Sequence, residues 1–172
     1  MMSTCESPTR SKPVARFTPT FKGRVLIACE DVQVADELVE VLKSTHLRLE
    51  RAVNFTSACK LLKTGKFQVV FATPRIPGGS WKKLMDFAYS RGQTVSFVVV
   101  ARSFDLSDWA NCLKNGAFEV LDLVRELSRA SDVAMQAFSA AWAIAGLESR
   151  RPEILELHDF SPFRAKYPEV AT

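Results

Sequence analysis

The sequence predicts an α/β domain built as an open, doubly wound parallel sheet, with five strands alternating with five helices. Three features predict it. Short, continuously apolar runs recur, of the kind found in strands covered on both faces. Between them lie stretches with apolar residues at helical spacing. Glycines, prolines and an Asn-Gly pair punctuate the joints.

The elements follow in order. Residues 1–20 mix Ser, Thr, Pro and basic residues without periodicity and read as a flexible basic tail. The alternation begins at Gly23, and Arg24-Val25-Leu26-Ile27-Ala28-Cys29 is the first strand. The first helix carries Val34, Leu38, Val41 and Leu42 on one stripe. Leu47 to Val53 alternates imperfectly, as an edge strand does. Asn54 or Thr56 caps a second helix with Ala58, Leu61 and Leu62 as its buried stripe, and Gly65 stops it.

Phe67 to Ala72 is the third strand and runs into Pro74-Arg75-Ile76-Pro77-Gly78-Gly79, a loop whose prolines and glycines are expected to forbid both helix and ladder. A third helix covers about Trp81 to Tyr89 and ends at Gly92. Val95 to Val100 is the most strand-like segment of all. The fourth helix starts near Asp105 or Ser107 and ends at Asn115-Gly116, a left-handed cap, and Ala117 to Leu121 is the fifth strand. A long helical segment then runs to about Leu147, with a break expected near Ser128 to Ser131. The expected division is a tail over 1–20, a domain over 21–147 and a C-terminal extension over 148–172.

Composition narrows the function classes. A chain of 172 residues with 47% hydrophobic and 24% charged residues can bury a sizeable core. The net charge of +4 resides in residues 1–24, where Arg10, Lys12, Arg16, Lys22 and Arg24 face Glu6 alone. The rest is neutral, so nucleic-acid binding is not expected. Cys5, Cys29, Cys59 and Cys112 are scattered, with no C-x-x-C pair, and His46 and His158 lie far apart, so no zinc site is expected. Free thiols fit a reducing cytoplasm. The N-terminus has no continuous apolar run for a signal peptide. Val133 to Leu147 is too short to span a bilayer core of about 30 Å, so no membrane role is expected.

Within about residues 22–147 the sequence resembles the receiver domains of two-component response regulators. An apolar third strand is followed by Ile76, Pro77 and Gly78; Leu113-Lys114-Asn115-Gly116-Ala117 resembles the family's Gly-Ala ending before strand five; and Ala58-x-x-Leu61-Leu62 matches helix two. The resemblance implies a flavodoxin-like five-stranded sheet of order 2-1-3-4-5 with helices on both faces and a site at the carboxyl ends of the strands.

It also implies what each position should hold. The family's two magnesium-binding acids after strand one fall on Cys29 and Glu30, and its phosphate-accepting aspartate falls on Thr73. Its strand-four hydroxyl falls on Ala101, its lysine after strand five on Leu123, and its rotating strand-five aromatic on Val120. A threonine hydroxyl with no adjacent base is a poor phosphoryl acceptor compared with an ionised carboxylate. Magnesium prefers several hard oxygen ligands, and one or two carboxylates (Glu30, with Asp31 nearby) hold it weakly. A site degenerate at Cys29, Glu30, Thr73, Ala101 and Leu123 implies no catalytic residue, metal or cofactor.

Bland roles are available for the same residues. Cys29 serves as a small filler at a strand end, Thr73 as a turn hydrogen-bonder and Trp81 as core, while Glu30 or Asp31 caps the first helix.

Val133 to Leu147 contains no charged residue, and small alanines surround Phe138, Trp142 and Ile144. A helix apolar all round is covered on more than one side, by a second subunit, another partner, or the chain's own Ile154, Leu155, Leu157, Phe160 and Phe163. In receivers the face of helix four, strand five and helix five serves output and dimerisation, which makes Met135, Phe138, Trp142 and Ile144 the expected interface with a protein partner or a second copy.

The function expected is a phosphorylation-independent pseudo-receiver, a cytoplasmic interaction module of bacterial signal transduction rather than an enzyme. Two alternatives stand beside it: an atypical receiver that is still phosphorylated, and a small flavodoxin-like enzyme or ligand binder using the strand-end cleft.

Overall fold

The computed structural model describes residues 23–149; the basic tail and all but the first two residues of the extension lie outside them. Five parallel strands form the sheet: β1 (Arg24–Ala28), β2 (Arg48–Ala52), β3 (Val69–Ala72), β6 (Ser96–Ala101) and β7 (Glu119–Asp122). Their order is β2-β1-β3-β6-β7, the 2-1-3-4-5 arrangement expected. The helices between them are α1 (Val32–Leu42), α2 (Phe55–Thr64), α3 (Trp81–Ser90) and α4 (Leu106–Lys114). The last helical segment breaks where expected: α5 (Leu123–Glu126) passes through a 3-10 turn at Leu127–Arg129 into α6 (Ala130–Ser149).

Strand alternation sends side chains to two cores. Val25, Ile27, Val69, Phe71, Val98 and Val100 pack beneath α1 and α6, with Leu38, Leu42, Val133 and Phe138. Leu26, Val70, Phe97 and Val99 pack beneath α2, α3 and α4, with Leu62, Trp81, Leu84 and Cys112. Helices therefore cover both faces, which is why the central strands are apolar at every position.

Caps fix the helix starts. Asn54 accepts from Ser57 N (2.8 Å) while the Ser57 side chain serves the Asn54 N–H, a closed capping box. Asp105 accepts from Asp108 N at 2.6 Å. Buried Ser96 donates to Ala137 O at 3.1 Å, tying β6 to α6.

The Pro74–Gly79 segment departs from expectation. It contains a short antiparallel ladder, β4 (Arg75–Ile76) with β5 (Gly79–Ser80). Pro77 and Gly78 occupy the hairpin corner, not the ladder, and Gly78 takes φ +86°. A fixed φ at Pro and a positive φ at Gly suit the two central positions of a turn, so the residues read as ladder breakers instead build the bend. Pro77 O accepts from Phe55 N at 2.9 Å, docking the hairpin on the start of α2.

Candidate functional site

The carboxyl ends of β1, β3, β6 and β7 share one edge, since Ala28 pairs with Ala72, Ala72 with Val99, and Ala101 with Asp122. Cys29 and Thr73 are the next residues after β1 and β3, and Ala101 ends β6. The topology thus brings together Cys29, Glu30, Thr73 and Ala101 around one crevice.

Their chemistry is already committed to the fold. Cys29 is buried, and its thiol donates to Asp31 O at 3.4 Å. Burial is the main force raising its pKa; hydrogen bonding with the Asp31 backbone and the Thr73 side chain offsets part of that. The thiol stays protonated near neutral pH and is a poor magnesium ligand. The Thr73 hydroxyl donates to Arg75 O at 2.8 Å, closing the turn into the hairpin. Glu30 is exposed. Asp31 caps α1, accepting from Gln33 N (2.9 Å) and Val34 N (3.2 Å).

Leu123 and Val120 are buried. Leu123 belongs to the core beneath α1 and α6, and Val120 to the core beneath α2, α3 and α4. Asp122 accepts from Val124 N at 3.0 Å as the cap of α5.

Sequence reasoning missed Arg102. Its Nε lies 3.8 Å from Asp31 Oδ2 and its Nη2 lies 3.7 Å from Glu37 Oε1. A guanidinium therefore stands beside the acid that also holds the start of α1. The available signal was an arginine directly after Ala101, but its partners lie in a distant part of the chain. Among the described residues no three His, Cys, Asp or Glu side chains converge into a metal-sized cluster. The donors present are a protonated thiol, an occupied hydroxyl, an arginine-paired carboxylate and the single exposed carboxylate of Glu30, too few hard oxygens to fit magnesium.

The other expectations divide. Trp81 is buried as a core residue. It also lines a hollow of about 390 Å³ between α3 and α4 with Arg75, Phe104 and Asn111; Cys29, Glu30, Thr73 and Ala101 are not part of it. On α6, Phe138 is buried in the domain's own core, so it is not available as an interface residue. The α1-facing side of the helix carries it, together with Val133, Ala134 and Ala137. Met135, Trp142 and Ile144 are exposed at 42%, 54% and 48%, on the side away from the core. No helix of the described residues is long and apolar enough to cross a membrane.

No protein-family model matches the chain, and no curated protein matches it in sequence. Solved structures do match. The signal receiver domain of an HD domain-containing protein from Pseudomonas fluorescens superposes with TM-score 0.65 at 15% identity, covering 73% of this chain and 93% of that one. A response regulator from Thermotoga maritima gives 0.61 at 17% identity over 69% and 98%. NtrX from Brucella abortus, solved in complex with ATP, gives 0.69 at 15% identity, covering 80% of this chain and 31% of that one. The chain has the fold of response-regulator receiver domains, a five-stranded parallel sheet of flavodoxin-like order.

Proposed function

We propose that the chain is a pseudo-receiver, a cytoplasmic module of bacterial signal transduction that acts by protein contact without being phosphorylated. One observation carries this reading. Where a receiver needs a free carboxylate nucleophile, Thr73 has its hydroxyl committed to Arg75 O, and the adjoining acid Asp31 is committed to a helix cap and to Arg102. Phosphoryl transfer needs an ionised oxygen to attack and a cation to draw charge from the leaving group. Here the rim already carries its own cation, fixed to the protein.

Contact through the α4–β7–α6 side is supported by the exposed Leu106, Trp109, Phe118, Val124 and Met135 on or beside those elements, and by β7 being an edge of the sheet. Large apolar side chains left in water in such number mark interaction surfaces.

The test is a calorimetric titration of the full chain with magnesium and then beryllofluoride, a phosphoryl mimic. The expected outcome is no saturable heat of binding. Saturation at low-millimolar magnesium, or incorporation of phosphate from acetyl phosphate, overturns the reading. Light scattering over a range of concentrations tests the homodimer: a mass fixed at one chain removes it and leaves contact with a different protein.

A further inference from the structure

We propose that the acidic-apolar segment 153–160 of this same chain docks, in cis, into a basic groove at the end of the sheet opposite the crevice. The inference is independent of whether the crevice is phosphorylated.

The groove has a volume of about 810 Å³ and lies where the turns before β3 and β6 meet the last turns of α6. Phe67, Trp142 and Ala145 supply apolar walls, and Lys63, Lys66 and Arg91 supply the charge. Among the described residues no acidic side chain lines it. None of the three cations has a carboxylate partner among the described residues. Lys63 and Arg91 instead both approach the Phe87 ring, at 5.8 and 5.5 Å from its centroid. Gathering like charges without a counter-charge raises the local potential and favours an anionic occupant. A second hollow shares Gly92, Gln93, Thr94 and Ala141 with the first and is flanked by Ile144, so the apolar wall is continuous along α6.

The sequence just outside the described residues has the complementary pattern. Residues 153–160 read Glu-Ile-Leu-Glu-Leu-His-Asp-Phe. Glu153, Glu156 and Asp159 recur every third residue, as do Ile154, Leu157 and Phe160. Wound as a helix about 12 Å long, the segment sets one row of carboxylates beside one row of apolar side chains. Docked so, three acids would meet three cations that have no carboxylate partner among the described residues, and the apolar row would meet Trp142.

Connectivity suits docking in cis. Ser149, the last residue of α6, is about 6 Å beyond Ala145 on the groove wall. Pro152 disfavours a longer helical run and gives the chain a place to reverse. The linker is short, so the effective concentration of the segment at the groove is high. The other terminal segment is a poor occupant, because Arg10, Lys12, Arg16 and Lys22 outnumber Glu6 and would meet like charge.

Hydrogen exchange of the full chain, read by mass spectrometry over a range of protein concentrations, tests this. Amides of 153–160 are expected to exchange about tenfold or more slowly than an unprotected peptide, equally at every concentration and at the mass of one chain. Protection is lost in Lys63→Glu/Lys66→Glu/Arg91→Glu and returns when Glu153→Lys/Glu156→Lys/Asp159→Lys is added. Should the first triple variant fail to protect β3 and β6, Leu157→Asp/Phe160→Asp, which leaves the domain untouched, is expected to remove protection by itself. Unprotected amides in the wild-type chain overturn the proposal. So does protection that survives both sets of changes, or that appears only with a dimer, which would place the segment on a second copy.

Discussion

Asp31 does two things at once: it closes the first turn of α1 and stands beside Arg102. The cap is the larger contribution, because the ion pair is half exposed and such pairs add little. Asp31→Ala is expected to lower stability by about 1 kcal/mol in urea denaturation. Arg102→Ala is expected to leave it nearly unchanged. The thiols give a prediction with a definite sign. Cys29, Cys59 and Cys112 and the Tyr89 phenol all have pKa values raised above their ordinary range, burial being the first cause in each. Below that range each is neutral whether folded or not, and its contribution is intact. As pH rises through it, the unfolded chain loses these protons first, so stability falls. Urea midpoints at about pH 7 and about pH 10 should show the drop, and Cys29→Ala should reduce it. Alkylation of Cys29 in the native protein should be slow near neutral pH for the same reason.

At the scale of elements, much was legible. Asn54, Asp105, Gly92 and the Asn115-Gly116 pair mark their helix ends, because caps depend on neighbours in sequence. The break before α6 was legible too. The β4–β5 hairpin was not, because Pro and Gly are breakers in a strand but builders in a turn, and composition alone does not choose between them. The hairpin is held closely: a Cβ added at Gly79 would meet the Phe55 ring at 2.5 Å. Gly79→Ala should therefore displace Phe55 and loosen the start of α2, visible as faster amide exchange at Phe55 and Ser57. Leu123 shows the other limit. The resemblance places a crevice lysine there, yet the side chain is part of the core. Leu123→Lys is expected to cost roughly 2 kcal/mol of stability rather than to restore a switch.

Across the whole molecule, the periodicity fixes which residues enter which core, since successive side chains of a strand face opposite ways. Phe71, fully buried on central β3, should cost about 4 kcal/mol on replacement by Ala, measured by denaturant unfolding. What periodicity did not reveal was the long-range pairing: Arg102 with the α1 acids, or Phe138 turned inward while Trp142 turns out. These depend on how α6 is rotated against the sheet, which its uniform apolar composition leaves undetermined.

The two outer strands of the sheet have a bearing on how the protein behaves when concentrated. Among the described residues both β2 and β7 have a neighbouring strand on one side alone. β2 lines that rim with Arg48, Glu50 and Arg51, and β7 is only four residues long with Glu119 at its start. Charge on one rim and brevity on the other discourage foreign strands from extending the ladder. Crowded solutions of this protein should accordingly remain free of fibrils, with any assembly proceeding through helix side chains rather than backbone.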